Sequence, residues 1–237
     1  MVSVQPDVLD PRVWLAQEPL KPTEQLFAIF SHASDANPPL VSPNPIWAGT
    51  IYAEWDAVMP FVGVVAADSE FLDWVATTES RDWGWLAVSS ATLEEVVAHF
   101  RSLTQVLMPG GKTVFFRFWD GRFLFPILQA DEVDTAQMLP VIGRGLINGQ
   151  PLEIAGRAQV SARSFPWWQI PPSVLTEQGD EVRTANALQW LSEEHPALFE
   201  TVPEAVLRCK VRQFFQDSMS EESSQSALLA FLLAESE

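Results

Sequence analysis

The sequence predicts a mixed α/β protein, with α+β as the alternative, followed by a helical C-terminal lobe. Residues 24–130 run in the order strand, loop, strand, helix, strand, helix, strand, helix. This alternation is typical of a mixed sheet that is flanked by helices and has at least partly parallel strands. After Pro172 only helical periodicity remains. We therefore expect an N-terminal extension over residues 1–23, an α/β lobe over 24–164, and a strap with the helical lobe over 165–237.

Apolar runs that are rich in β-branched and aromatic residues predict the first buried strands. These runs are Leu26–Phe30, Phe61–Ala66 and Trp85–Ser89. Four prolines between Ser31 and Pro45 predict a loop. His32 and Asp35 lie in this loop, after a strand, where α/β proteins often bind ligands; turn capping is the alternative. The stretch from Ile46 to Trp55 is ambiguous between strand and loop.

Helices are predicted from capping residues and from apolar positions at helical spacing. Thr92 and Glu95 form a capping box at the start of one of them. Pro109 and the two glycines after it end the same helix. The predicted helices of this part of the chain are Val8–Gln17 with Trp14 docked on the body, Ser69–Thr78, Thr92–Leu107 and Asp131–Leu139.

The segment Thr113–Trp119 is apolar enough to predict a strand that is buried on both faces. Arg117, placed among these side chains, then needs a carboxylate as its partner. Asp120 closes the strand, Gly121 permits a tight turn, and Arg122 begins the next segment. Two arginines and one aspartate in six residues indicate a buried ion-pair lock, with a catalytic or ligand-binding site as the alternative.

The segment Phe165–Pro172 is extended by its prolines and is strongly aromatic. We interpret it as a strap between the lobes, in which Trp167 and Trp168 either pack internally or form a contact surface. The helices predicted beyond it are Thr176–Glu194, Val202–Gln216 and Ser223–Ala234.

The last helix is too apolar to be a free surface helix, so the α/β lobe or a partner must cover it. The tentative partner-binding residues are therefore Trp167, Trp168, Leu228, Phe231 and Leu232.

The composition excludes several classes of function. The chain has 31 acidic and 14 basic residues, a net charge of −17, which repels the phosphates of nucleic acids. One cysteine, Cys209, excludes an internal disulfide and suits a reducing compartment. The N-terminus lacks a basic region followed by an apolar core, and no apolar run approaches about 20 residues, so we expect a cytoplasmic protein with neither a signal peptide nor a membrane span.

The sequence carries no motif of a common catalytic or metal site. It has no Gly-x-Ser-x-Gly elbow, no His-Glu-x-x-His and no cysteine cluster. Its histidines are His32, His99 and His195, and we expect His99 to be an ordinary helix residue. We therefore predict a protein that is not an enzyme, with no catalytic residue, no metal and no cofactor.

An ordered set of motifs resembles the effector chaperone/adaptor family of type VI secretion, long catalogued as a domain of unknown function. The stretch Phe116–Arg122 is similar to its "FRFYDPR"-type signature, with Gly121 where the family usually has proline. The resemblance covers roughly residues 24 to 145. Its other parts are Trp83-Gly84-Trp85-Leu86, Ser89-Ser90, His99-Phe100-Arg101 and Gly110-Gly111. The structural motif residues that it implies are Trp83, Gly84, Arg117, Asp120 and Arg122.

The resemblance implies a non-enzymatic adaptor of a contact-dependent bacterial injection machine. Such an adaptor holds a secreted effector, a toxin, in the cytoplasm and helps to load it onto the spike protein of the valine–glycine repeat type. An α/β lobe beside a helical lobe would leave a groove for the effector. An immunity-like inhibitor of a toxin remains an alternative, since an acidic protein suits a basic toxin. A small-molecule sensor and a small hydrolase are weaker alternatives.

Overall fold

The computed structural model describes residues 8–31, 43–154, 163–172, 202–217 and 225–234, with single positions between 174 and 196. The chain divides into two compact units, residues 1–171 and 172–237. The mixed α/β class with C-terminal helices is confirmed. His32 and Asp35, for which a ligand role was considered, lie outside the described residues.

The first unit is built on a six-stranded sheet and a separate two-stranded hairpin. The strands are β1 (Gln25–Ser31), β2 (Asn44–Pro45), β3 (Pro60–Val65), β4 (Gly84–Ser89), β5 (Gln105–Leu107), β6 (Thr113–Phe115), β7 (Arg144–Ile147) and β8 (Gln150–Glu153). The large sheet has the order β2-β3-β1-β4-β7-β8, and β5 pairs with β6. The three predicted strands therefore correspond to β1, β3 and β4.

The expectation of partly parallel neighbours is wrong, because every pairing of the described strands is antiparallel. The connection from β3 to β4 does leave these two strands running in the same direction, as the alternation predicted. However, β1 lies between them and pairs with both in the opposite direction. The order of strands and helices along the sequence does not show that β1 lies between β3 and β4, because β1 comes first in the chain.

Helices pack around this sheet and make up the described part of the second unit. They are α1 (Pro11–Gln17), α2 (Phe71–Thr77), α3 (Leu93–Ser102), α4 (Gly121–Gln129), α5 (Thr135–Met138), α6 (Glu204–Asp217) and α7 (Gln225–Ala234). The predicted capping box of α3 is present, with Thr92 and Glu95 bonded reciprocally. Trp14 on α1 is buried against the sheet, as expected for a docked N-terminal helix.

Arg144, on β7, joins α1 to the sheet. This buried arginine lies 4.8 Å from the ring centre of Trp14. Its guanidinium also donates to the backbone carbonyl of Glu18 and lies 3.6 Å from the Glu18 carboxylate. A second tie joins α1 to α2, where Arg12 donates to both carboxylate oxygens of Asp73 at 2.8 and 2.9 Å. The N-terminal helix is therefore an integral part of the first unit.

The predicted helix Thr92–Leu107 ends earlier than its apolar spacing indicates, at Ser102. The Thr104 hydroxyl donates to the Arg101 carbonyl at 2.7 Å and accepts the indole N–H of Trp47 at 3.0 Å. These two bonds turn the chain out of the helix, and the next residues form β5. The predicted helix Asp131–Leu139 is likewise shortened to α5, because the Asp134 side chain caps it by accepting from the Gln137 N–H.

The predicted strand Thr113–Trp119 is also wrong beyond Phe115. Only Thr113–Phe115 pairs, as β6, and two of its three residues are exposed. The chain then leaves the hairpin so that Phe118 can stack on Phe100, with ring centres 5.1 Å apart. The Phe118 carbonyl accepts the indole N–H of Trp85 at 2.9 Å. Aromatic packing with α3 and β4 therefore takes this segment out of strand geometry.

Gly84 provides a direct test of the sheet register. Its φ is +146°, and a Cβ atom there would lie 2.2 Å from the Ile29 carbonyl oxygen. Gly84→Ala should therefore lower the free energy of unfolding by about 3 kcal/mol or more. The measurement is urea denaturation followed by tryptophan fluorescence. Gly110→Ala is the matched control, because no atom lies within 4 Å of its Cβ position. Equal stability of both variants would contradict the assigned register.

Candidate functional site

Asp120 is the fully buried centre of the arginine-rich motif. Its two carboxylate oxygens accept from the Arg122 guanidinium at 3.0 and 2.8 Å. Arg117 lies 3.0 Å from one of them. The carboxylate also caps α4 by accepting the backbone N–H of Arg122 at 3.1 Å. Arg122 further contacts Asp82, at 3.0 Å, just before β4. This Asp120 cluster therefore joins the segment after β6, the start of α4 and the approach to β4.

The expectation that Arg117 is the buried member of the cluster is wrong. The side chains of Arg117 and Arg122 are 49% and 47% exposed, whereas that of Asp120 is 0% exposed. Both guanidinium groups also lie against the ring of Phe123. The hydrogen bond to Asp120 raises the pKa of Arg122 above its ordinary value. With its oxygens occupied by two cations and an N–H, Asp120 is arranged as a structural lock rather than as a proton donor.

Gly121 explains the departure from the proline usual at this motif position. A Cβ atom there would lie 2.9 Å from both Ile147 and Asn148 side chains. These residues belong to the β7–β8 hairpin, whose turn is formed by Asn148 and Gly149 at positive φ. The Asn-Gly pair is the usual sequence of such a two-residue turn. The hairpin approaches the start of α4 too closely for a proline ring.

The other two motif residues, Trp83 and Gly84, are buried like Asp120. Trp83 is buried, and its ring lies 5.8 Å from Phe71 and 5.4 Å from Trp74. Gly84 is the first residue of β4 and pairs with Phe30 of β1. All five residues of the structural motif are thus placed where they hold the first unit together.

His99 is buried on α3 and is not arranged for proton transfer with solvent. Burial lowers its pKa from 6.5 to about 4, partly opposed by a hydrogen bond with the Met138 backbone. Its Nε2 has no hydrogen-bond partner among the described residues. His195, in the second unit, packs edge-on against Trp190 at 5.0 Å. The structure does not bring either histidine together with a catalytic partner among the residues it describes.

The strap residues Trp167 and Trp168 belong to the first unit. The strap lies along β5, where Leu107 donates to the Trp168 carbonyl at 2.8 Å and accepts from Ile170 at 2.9 Å. The Trp167 indole donates to Ser102 at 3.0 Å. Trp168 is 7% exposed, while Trp167 is half-buried beside a cleft of about 360 Å³. Trp167 therefore offers more accessible surface than Trp168.

The C-terminal residues that were expected to need a cover are covered by their own unit. Leu228 and Leu232 of α7 are each 2% exposed, and Phe231 is half-buried. The Phe231 ring lies 5.5 Å from that of Phe214 on α6. The sequence left open whether the α/β lobe or a partner buries these residues. In the structure, other side chains of the helical unit bury them. Its cluster comprises Leu188, Leu191, Leu207, Val211, Phe214, Leu228 and Leu232.

An exposed apolar surface lies elsewhere, on the segment that the sequence left ambiguous. We call Ile51, Trp55, Val58 and Phe115 the Trp55 surface; their exposed fractions are 85%, 45%, 40% and 41%. The rings of Trp55 and Phe115 lie 5.3 Å apart, and Tyr52 contacts both at 5.2 and 5.1 Å. The segment Ile46–Trp55 is rich in aromatic residues, but their spacing fits neither a strand, with a period of two residues, nor a helix, with a period of 3.6. This spacing was the available sequence signal for an aromatic loop.

A buried tryptophan supports the Trp55 surface from below. Trp47 is 2% exposed, and its indole N–H is held by Thr104. Its ring lies 6.3 Å from Trp55, 6.2 Å from Phe115 and 5.9 Å from Trp119. The neighbouring Ile46 carbonyl accepts from the Arg101 side chain. The exposed rings therefore rest on a fixed base.

Comparison with known proteins finds a match to a family model over slightly less than half of the chain. Residues 24–137 match the model of a family described as a domain of unknown function (DUF4123). The match begins where the motif resemblance begins and includes the whole Asp120 cluster. No curated protein and no solved structure matches the chain.

Neither a metal-binding cluster nor a membrane-crossing helix occurs in the parts of the chain that the structure describes. Within those parts, no group of three or more histidine, cysteine, aspartate or glutamate side chains is arranged to hold a metal ion. No described helix combines the length and the apolar character that crossing a bilayer requires.

The Asp120 cluster predicts a non-additive pair of mutations. Arg117→Ala should lower the free energy of unfolding by about 1 kcal/mol or less, because Arg122 still pairs with Asp120. Arg117→Ala combined with Arg122→Ala leaves a buried carboxylate unpaired and should cost about 3–5 kcal/mol. Urea denaturation of the single and double variants gives these values.

The control is Arg12→Ala, which removes a half-exposed arginine from the exposed Asp73 and should lower the stability only slightly, because solvent screens an exposed ion pair. If the double variant loses only as much free energy of unfolding as the two single variants together, the proposed role of Asp120 is contradicted.

His99 predicts a loss of stability in acid. Because its folded pKa is about 4 and its unfolded pKa is 6.5, protonation favours the unfolded chain as the pH falls through this window. The wild type should lose about 2 kcal/mol more than His99→Gln between about pH 7.5 and pH 5. Urea denaturation at both pH values gives this difference. Identical pH dependence of the two proteins would show that His99 is not buried in its neutral form.

Proposed function

We propose that this protein is a non-enzymatic adaptor that binds a cognate type VI secretion effector in the cytoplasm and helps to load it onto the spike protein. The observation that carries the proposal is the family match over residues 24–137. The match includes the motif of Arg117, Asp120 and Arg122, which resembles the signature of effector adaptors.

The way the motif is used supports a binding protein. Asp120 is enclosed by two arginines and caps α4, so its charge stabilises the fold and is not offered to a substrate. His99 is buried and uncharged at neutral pH. Both residues thus have structural explanations, whereas a catalytic site would place its titratable groups in an accessible cleft.

The exposed aromatic residues support protein recognition. Tryptophan and other aromatic side chains dominate the energetic centres of protein interfaces. The Trp55 surface presents such side chains on a fixed base, within the part of the chain that matches the family. The net charge of −17 keeps an adaptor dispersed and favours a basic partner.

The proposal predicts a stable complex with a cognate toxin, which affinity capture of this protein from its native cell followed by mass spectrometry would identify. Co-expression should convert that toxin from an aggregated or degraded protein into a soluble complex that survives size-exclusion chromatography. Deletion of the adaptor should abolish delivery of this toxin while other secreted components of the machine are still exported. Re-expression of the wild type is the control for the deletion.

Two outcomes would contradict the adaptor function. If the toxin is delivered normally without this protein, it is not the adaptor for that toxin. If instead the protein protects a recipient cell against the toxin and is dispensable for delivery, the immunity-like inhibitor is the better assignment.

The non-enzymatic character has its own test. Changing His32, His99 and His195 together to glutamine should leave toxin binding and delivery intact, because no step is assigned to an imidazole. Folding of the triple variant is checked by circular dichroism near neutral pH, where His99 is neutral in the wild type. Loss of delivery by a folded variant that still binds the toxin would favour an enzyme.

A further inference from the structure

We propose that the Trp55 surface docks a segment of the effector in which a large apolar side chain lies next to arginine or lysine. The inference rests on the proposed function for the identity of the natural partner. The inference specifies which surface of this chain binds the effector and what chemistry the bound effector segment has.

The apolar component consists of two exposed rings in contact and two exposed aliphatic side chains from the same loop segment as Trp55. Trp55 and Phe115 are in ring contact and each is more than two-fifths exposed, while Ile51 is almost fully exposed. Val58 adjoins them, since its backbone N–H is bonded to the Trp55 carbonyl at 3.1 Å. Contiguous apolar patches of this kind mark interaction sites on monomeric proteins, whereas singly scattered apolar residues do not.

The surface is also arranged in advance of binding. Tyr52 is buried between the exposed rings, and its hydroxyl oxygen accepts from the Gln105 side chain on β5 at 3.0 Å. Trp47 beneath it is fixed by Thr104. Side chains that are already immobilised lose little conformational entropy when a partner binds.

The charges beside Trp55 determine the kind of partner. Glu54 and Asp56 flank Trp55 in sequence and are exposed, and neither carboxylate has an ion-pair partner among the described residues. A guanidinium or ammonium group is attracted to the face of a tryptophan ring, and adjacent carboxylates strengthen that attraction. No lysine or arginine occurs between Pro43 and Pro60.

The other side of the surface is less acidic, which orients the partner segment. Lys112 lies just before β6, which ends at Phe115, while Arg117 after it is engaged by Asp120. We therefore place the partner's cation at Trp55 and its apolar side chain towards Phe115 and Ile51.

The same charges disfavour other occupants. Nucleic acids and anionic lipid surfaces would bring phosphates to Glu54 and Asp56, which repel them. A second copy of this chain would bring another net charge of −17. A basic polypeptide segment with an apolar anchor has the complementary combination.

Selection of random peptides on the immobilised full-length protein tests this inference without knowledge of the effector. We expect enrichment of sequences in which arginine or lysine lies within a few residues of leucine, isoleucine, phenylalanine, methionine or tryptophan. An enriched peptide is then synthesised with a fluorescent label, and its Kd is measured by fluorescence anisotropy over a range of salt concentrations.

Three variants determine where the peptide binds. Trp55→Ala should weaken binding by about tenfold or more. The exposed double variant Glu54→Gln/Asp56→Asn should weaken binding by about three- to tenfold and reduce its salt dependence. The matched control is Glu70→Gln/Glu153→Gln, which removes two exposed charges from the start of α2 and from β8 and should leave the Kd unchanged.

Several outcomes would overturn the inference. They are the absence of enrichment, enrichment of acidic or uncharged sequences, and binding that neither Trp55→Ala nor the charge variant weakens. A dimer in solution that Trp55→Ala dissociates would assign the surface to a second copy instead. If peptides bind as described but no toxin is captured with this protein from its native cell, the surface stands and the adaptor assignment fails. If the toxin binds but selection yields nothing, the adaptor function stands and this surface is not its site.

Discussion

The buried carboxylate of Asp120 is the interaction on which the rest of the first unit depends. It is paired with Arg117 and Arg122 and also caps α4. Through Arg122 it reaches Asp82, next to the start of β4. An unpaired carboxylate at this position would be strongly unfavourable, so the three segments must come together when the chain folds. At least one of the two arginines must therefore pair with this buried charge, although each arginine is itself half-exposed.

This lock also determines where the exposed aromatic residues lie. Trp119 directly precedes Asp120, and its ring packs edge-on against Trp47. Trp47 in turn supports Trp55 and Phe115 at the surface. A continuous series of contacts therefore connects the buried ion pairs with the Trp55 surface. In the proposed adaptor, the motif acts through structure, and the loop that rests on it contacts the effector.

Local chemistry made part of this fold predictable. The strands β1, β3 and β4 are mostly apolar, and the capping box of Thr92 and Glu95 is a short-range signal that needs no tertiary context. The clustering of Arg117, Asp120 and Arg122 was also visible, because the three residues are close in sequence.

The remaining features depend on contacts between distant residues. The end of α3 depends on a hydroxyl bond from Thr104 and on the indole of Trp47, more than fifty residues away. The Trp55 surface was not predicted, because an aromatic loop looks the same in sequence whether its rings are buried or exposed.

Hydrogen–deuterium exchange of the full chain, alone and with the cognate toxin captured from the native cell, tests the central claim most directly. The account predicts that the toxin slows exchange in the segment around Ile51 to Val58 and in β6. Exchange around Asp120 and Arg122 should be slow already in the free protein and should change little. Protection centred on the Asp120 cluster, with no change at the Trp55 surface, would contradict the account.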